Sequence, residues 1–248
     1  MTQADIIIPD WPAPPGVHAL MTTRCGGVST GPFASLNLGD HVGDDPSFVA
    51  ANRQALRALC PAPPRWLSQV HGTEVVQADA VEAVVDADAS FTRHADVVCA
   101  VMTADCLPVL FCDRRGTVVA AAHAGWRGLH AGVLERTVAQ MQVPPGEVMA
   151  WLGAAIGPDA FEVGEEVRAA FIAHDAGAAL AFCPGAVQGK WLADLYALAR
   201  QRLAACGVTQ VSGGDLCTVS DARRFFSYRR DGQTGRMAAM IWRSSVSS

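Results

Sequence analysis

Several familiar signatures are missing from this sequence. No Gly-x-Gly-x-x-Gly fingerprint follows a strand in a βαβ setting and there is no Walker loop, so nicotinamide and ATP binding have no support. No two cysteines have the Cys-x-x-Cys spacing, which removes the common redox and zinc-ribbon motifs. No uninterrupted apolar stretch approaches the roughly 20 residues that a membrane helix needs. Met1–Gly16 lacks the basic start and apolar run of a secretory signal. Positive charge is in deficit: 19 Lys and Arg face 24 Asp and Glu, which argues against a broad nucleic-acid surface. Tyrosine is rare, with two in the chain, so close packing must come largely from alanine, glycine and aliphatic side chains.

What is present supports a substantial core. Half of the 248 residues are hydrophobic, enough for one large domain. No internal repeat or long linker divides the chain, so residues 1–248 are read as one domain. The eight cysteines are scattered. Without an export signal, free thiols in a cytoplasm are the expected state. Most should pack as small core residues; the surroundings of Cys106 suggest more.

Strands and helices interleave along the chain. Met1–Gly16, rich in proline, reads as an edge strand or extended arm. His18–Arg24 reads as a strand entering a Gly26-Gly27 turn, and Ser35–Asp45 as a polar loop. Asp45-Pro46 suits an N-cap and first helical position, opening a helix to about Leu59. Arg65–Val76 reads as a strand bent at His71-Gly72, and Ala80–Arg93 as an acidic strand and connector. Three apolar runs follow: Val97–Met102, Pro108–Cys112 and Val118–Ala122. Leu129–Met141 carries Leu129, Val133, Leu134, Val138 and Met141 on one helical face. Val148–Ile156 reads as a buried strand and Gly164–His174 as a helix. Ala176–Gly189 reads as a loose connection, and Trp191–Cys206 as a helix stopped at Gly207. Leu216–Val219 reads as a short strand, Phe225–Gly235 as a basic segment, Met237–Trp242 as a final strand, and the serine-rich tail as disordered. The pattern predicts an α/β (α+β) single domain with a mixed central sheet.

Residues 97–128 concentrate the reactive groups. His71, Cys106 and His123 each sit at a tight or glycine-rich turn beside an apolar run. Two imidazoles and a thiolate at strand ends would suit Zn²⁺, with three protein ligands and a fourth position left open for water or substrate. The ligand spacings are wide and match no short zinc signature. A metal-free alternative stands beside this: Cys106 as nucleophile and His123 as its base, with Asp105 or another carboxylate orienting the imidazole.

Other candidates carry weaker patterns. Gly125-Trp126-Arg127-Gly128 opens a helix where free amides and Arg127 favour an anion, although pairing with a surface carboxylate is the commoner fate of an arginine. Asn37 and His41 lie in the Ser35–Asp45 loop and Arg53 on the helix after it. Tyr228 and Arg229 belong to a small basic cluster. Each suits a sugar or phosphate contact, and each has an ordinary reading as a turn or solvated residue.

Taken together, SLNLGDHVGDD with Asn52-Arg53, SQVHGTEV, TADCLPVLF, AAHAGWRGL, GAAIGP with FEVGEEV, and FFSYRRDGQTGRMA resemble the YfiH family. Its members are also called multi-copper polyphenol oxidoreductase, laccase-domain proteins and purine nucleoside phosphorylases. The resemblance runs from about His18 to Trp242. It implies an α/β sandwich related to cysteine hydrolases, and a zinc ion held by His71, Cys106 and His123, with copper as the alternative metal. The implied activity is phosphorolysis of adenosine, inosine, guanosine and methylthioadenosine, together with adenosine deamination. Purine nucleosides and phosphate are then the partners, with no nucleic acid or membrane among them. Water activated at the metal would attack C6 of adenine in deamination, by analogy with zinc deaminases. Arg53, Arg127 or Arg229 would hold phosphate, and Asn37 would orient the nucleoside. Two rival activities remain: a Cys106-dependent amidase acting on peptidoglycan precursors, and a laccase-like copper oxidase. The oxidase is discounted because no cluster of extra histidines suggests a trinuclear centre.

Overall fold

The computed structural model describes residues 6–245. In chain order its elements are β1 (Ile6–Ile7), β2 (Val17–Thr22), α1 (Pro46–Leu56), β3 (Val75–Gln77), β4 (Ala89–Thr92), β5 (Cys99–Thr103), β6 (Leu107–Asp113) and β7 (Val119–Ala124). Then come α2 (Trp126–Ala131), α3 (Val133–Gln140), β8 (Val148–Leu152), β9 (Glu162–Gly164), α4 (Glu165–His174), β10 (Phe182–Pro184) and β11 (Lys190–Ala193). The chain closes with α5 (Leu195–Ala205), β12 (Gln210–Gly213), α6 (Tyr228–Asp231) and β13 (Met237–Arg243).

Among the described residues these strands form three sheets. The largest has the order β12-β8-β6-β7-β4-β3, a second the order β1-β2-β13-β5, and a small third the order β10-β11-β9. In the largest sheet β12 runs parallel to β8 and β3 parallel to β4, while the pairings around β6 and β7 are antiparallel. The sheet is therefore mixed, as the interleaved pattern predicts.

Side-chain alternation explains the layering. In β6, Leu107, Val109 and Phe111 pack with Leu129, Val133, Leu134 and Leu198 of α2, α3 and α5. Their neighbours Leu110 and Cys112 point the other way, onto Met21, Val101, Ala239 and Ile241 of the second sheet. That second sheet repeats the device. Ala100 and Met102 of β5, with Ala238 and Met240 of β13, turn away from the first sheet to meet Leu36, Leu38 and Leu56. Because side chains alternate with period two, a strand apolar at every position must be covered on both faces. The four-layer arrangement of helices, sheet, sheet, then α1 and its loop follows from strands of that kind.

Several elements differ from the sequence expectations. The helix expected over Leu129–Met141 begins earlier and is interrupted at Gly132, whose φ of 99° serves as the left-handed C-cap of α2. The helix expected from Trp191 starts after Asp194, which caps it by accepting from the Ala197 amide at 2.9 Å. Lys190–Ala193 pairs as β11 instead, with β9 and β10, two strands that weak patterning concealed. Residues 65–74 form single bridges at Arg65 and Ser68, not a continuous strand. The strand expected at Leu216–Val219 contributes one bridge, Cys217 to Ala155, and the parallel neighbour of β8 is β12. The expected amino-terminal arm is described only from β1 onward; the expectation for the extreme carboxyl end falls largely on 246–248, outside the described residues.

Candidate metal centre

Three separate turns bring the reactive groups together. His71 follows the bridge at Ser68, Cys106 lies in the turn between β5 and β6, and His123 lies near the end of β7. β6 and β7 are paired neighbours, with Pro108 opposite His123, so the sheet register itself sets Cys106 close to the imidazole. The ligand atoms of the three residues all lie within 4.8 Å of one another. Cys106 Sγ is 3.7 Å from His71 Nε2, and the two imidazole rings meet edge to face with centroids 4.8 Å apart.

The backbone is unusual where the ligands are. His71 has φ 59° and Asp105, next to Cys106, has φ 89°. Non-glycine residues occupy this left-handed region at a cost, and such positions concentrate at functional sites. Glycine keeps the space open. A Cβ at Gly125 would lie 2.9 Å from Cys106 Sγ and 3.0 Å from His71 Cδ2, and one at Gly128 would lie 2.8 Å from the Gly72 carbonyl oxygen. The AHAGWRG stretch thus needs its glycines so that α2 can start against the ligands.

A buried carboxylate orients the site, and it is Asp88. Its Oδ1 is 2.8 Å from His123 Nδ1 and also accepts from the His71 amide at 3.0 Å, while Oδ2 accepts from the Gly72 amide at 2.5 Å. These contacts outweigh burial and hold the Asp88 carboxyl below the usual range. Fixing Nδ1 leaves Nε2 of His123 for a metal, an arrangement common among metal-ligating histidines. Burial would raise the Cys106 thiol, but the adjacent His123 charge and the two imidazole contacts overcome it and bring it down to about 6. Burial likewise opposes protonation of His123; Cys106 and Asp88 reverse this and raise it to about 9. The donor chemistry fits a metal: one thiolate and two imidazoles, with a sulfur–nitrogen separation near the ~3.5 Å expected for two ligands on a tetrahedral zinc.

The three groups open onto a cleft of about 330 Å³ lined by His41, Gln69, Met102, Thr103, Tyr228 and Arg236 as well as the cluster itself. A neighbouring hollow of about 270 Å³ shares His41, Gln69 and Met102 and adds Asp40, Arg53 and Trp66.

The remaining candidates scatter. His41 and Tyr228 line the cleft, and Tyr228 is well exposed. Arg53 lines the neighbouring hollow, paired with Asp40 at 3.1 Å and stacked over Trp66. Asn37 is fully buried and spends its amide on Gly39, Asp44 and the Arg236 backbone, so it shapes the loop and does not face the cleft. Arg127 is exposed, stacks on its neighbour Trp126 and does not line the cleft. Asp105 does not orient His123. It accepts from the Thr218 hydroxyl at 2.6 Å and the Arg229 amide at 2.7 Å, anchoring the start of α6. Arg229 in turn donates to the Glu162 carbonyl.

Sequence reasoning missed Asp88, Gln69 and Arg236. Asp88 sits in an acidic stretch without periodicity, where nothing separates it from Glu82 or Asp86. Gln69 adjoins the His71 turn and pairs with both backbone groups of Met102, at 2.7 and 2.8 Å. The signal for Arg236 was its place as the basic residue of the QTGRMA stretch just before the final strand.

A family model described as multi-copper polyphenol oxidoreductase laccase matches residues 18–244. A Pseudomonas aeruginosa protein named purine nucleoside phosphorylase is 59% identical over 236 residues, covering 95% of this chain and 97% of its own. An Escherichia coli protein named purine nucleoside phosphorylase YfiH is 58% identical over 240 residues, covering 96% and 98%. Among solved structures, a Neisseria meningitidis DUF152 protein superimposes with a TM-score of 0.95 at 57% identity, covering 97% of this chain and all of that one. A Bacillus licheniformis hypothetical protein YfiH gives 0.85 at 29% identity, covering 92% and 93%.

Proposed function

The chain belongs to the multi-copper polyphenol oxidoreductase laccase family, and from that membership we propose that it is a zinc-dependent purine nucleoside phosphorylase with adenosine deaminase activity. Its substrates are adenosine, inosine, guanosine and methylthioadenosine. The observation that carries the reading is the His71–Cys106–His123 cluster at the floor of an open cleft, in a chain whose close relatives are named for phosphorolysis. Zinc held by these three residues supplies Lewis acidity toward a substrate oxygen or a water. One sulfur and two nitrogens with an open side suit a catalytic zinc and also a single copper; a laccase-type oxidase needs further copper centres, and this is the one such cluster among the described residues.

The chain's own residues supply position and exclusion. Asp88 holds the ring of His123 in one tautomer and the His71 turn in place, so both imidazoles present fixed faces. Met102 and Ala104 give the cleft apolar wall for a purine, and the exposed Tyr228 adds an aromatic ring to its lining. Phosphorolysis forms a bond from a phosphate oxygen to the sugar C1′ as the C1′–N9 bond breaks. The bonding pair leaves with the purine, which takes up a proton. Eight free cysteines and the absence from the described residues of a helix able to cross a membrane accord with a cytoplasmic setting.

The test is product analysis. Adenosine incubated with the protein and phosphate should yield adenine and ribose 1-phosphate, and without phosphate should yield inosine. No release of a free purine base or of ribose 1-phosphate in the presence of phosphate and a full complement of zinc rejects the phosphorylase. A second reading has one observation behind it: without metal, the lowered Cys106 thiol beside His123 forms a nucleophile with its acid–base partner. That amidase predicts a metal-free protein inactivated by thiol alkylation, with turnover of an amide-bearing peptidoglycan precursor.

A further inference from the structure

The cleft is lined by an arginine and a threonine that the cluster does not use. Arg236 lines it beside Cys106 and is mostly buried. Its Nη1 donates to the carbonyls of Thr234 and Gly235, at 3.0 and 3.1 Å, and its backbone amide is fixed by Asn37 Oδ1 at 2.9 Å. No carboxylate among the described residues pairs with its guanidinium. The contrast with the other candidate arginines is direct: Arg53 is paired with Asp40, and Arg127 and Arg229 do not line the cleft. Thr103 also lines the cleft. It is 1% exposed, yet its Oγ1 has no hydrogen-bond partner. Met237, the next residue after Arg236, is the β13 partner of Thr103 in β5, so the two residues come from adjacent points of neighbouring strands, and both line the same cleft.

A buried hydroxyl without a partner costs free energy, and a guanidinium anchored through one nitrogen still has donors to offer in a planar fork. We infer that Arg236 and Thr103 form an oxyanion subsite that receives inorganic phosphate, the co-substrate of the phosphorolysis proposed above. Arg236 supplies charge and direction; Thr103 donates its hydroxyl to a phosphate oxygen. The assignment moves the anion-binding role away from Arg127 and the helix start. It rests on the phosphorylase reading for the identity of the anion, although not for the existence of the subsite.

Calorimetric titration of the zinc-loaded protein with inorganic phosphate tests it, alongside the KM for phosphate in adenosine phosphorolysis. Arg236→Gln should weaken phosphate binding and raise that KM by about tenfold or more. Arg236→Lys, which keeps the charge and loses the fork, should fall between Gln and wild type. Thr103→Val, close in shape, should weaken binding by about threefold or more while leaving the zinc content intact. Arg53→Gln and Arg127→Gln should change phosphate affinity by less than about twofold. If Arg236→Gln loses its fold, Arg236→Lys and Thr103→Val decide the matter. The subsite is overturned if wild type binds no phosphate, if folded Arg236 and Thr103 variants bind it normally, or if the loss appears in Arg53→Gln instead. The two readings fail separately. Arg236-dependent phosphate binding without release of a free purine base or of ribose 1-phosphate rejects the phosphorylase and keeps the subsite; phosphorolysis indifferent to Arg236 and Thr103 does the reverse.

Discussion

At the scale of single residues, the centre depends on a side chain that no pattern announced. Asp88 connects His123 to the His71 turn, and loss of a metal-ligand's orienting carboxylate typically costs about 10–100-fold in metal affinity. Asp88→Asn should therefore release zinc to a chelating dye about 10–100-fold more readily than wild type, and unchanged competition would remove Asp88 from the centre. Gly125→Ala places a methyl 2.9 Å from Cys106 Sγ and should reduce bound zinc in elemental analysis; a full complement would show that the start of α2 can give way. The three cluster residues were legible in sequence because each is a reactive type set at a turn beside an apolar run. Asp88 was not, because a carboxylate's role is assigned by what packs on it, and its partners lie 16 and 35 positions away. Asp105 misled for the converse reason: adjacency to Cys106 in sequence says little when a φ of 89° turns its backbone aside.

At the scale of elements, boundaries followed local chemistry more closely than apolar period. Asp45 and Asp194 both cap helices through their side chains. Asp45-Pro46 marks its helix start in the sequence; Asp194 does not, because Trp191 and Leu192 continue the apolar period of α5 across it. Replacing Asp194 with alanine should cost about 1 kcal/mol and lower Tm by about 2–4 °C, measured by thermal unfolding. A wild-type Tm would mean that α5 is held by its buried face alone. Gly132 divides α2 from α3 and could not be distinguished from an ordinary helical glycine, since its left-handed conformation is visible only in three dimensions. The small sheet of β9, β10 and β11 escaped notice because its strands have three or four residues each, too few for alternation to register.

At the scale of the whole molecule, the mixed sheet was foreseeable and the stacking of two sheets was not. A strand buried on both faces shows no alternation, so β5, β6 and β13 announce burial without saying what covers each side. Phe111 lies fully buried where β6 meets the helices; Phe111→Ala should destabilise the protein by about 3–5 kcal/mol, read from chemical denaturation. Metal removal should act differently. None of the three hydrophobic cores includes the cluster, so chelated protein should keep its β-sheet circular dichroism while Tm falls by about 10 °C relative to protein at saturating zinc. Loss of secondary structure on chelation would show that the ion is part of the scaffold.

The position of β13 has a consequence for synthesis. It runs between β2 and β5, joining a strand made early to one made midway, and Arg236 stands at its threshold. The ribosome delivers the cluster-bearing turns long before it delivers the strand that seals the second sheet. A nascent chain must therefore wait with the edges of β2 and β5 unpaired, and a message truncated before codon 237 would yield a protein with the two imidazoles and the thiol but no closed sheet to support them.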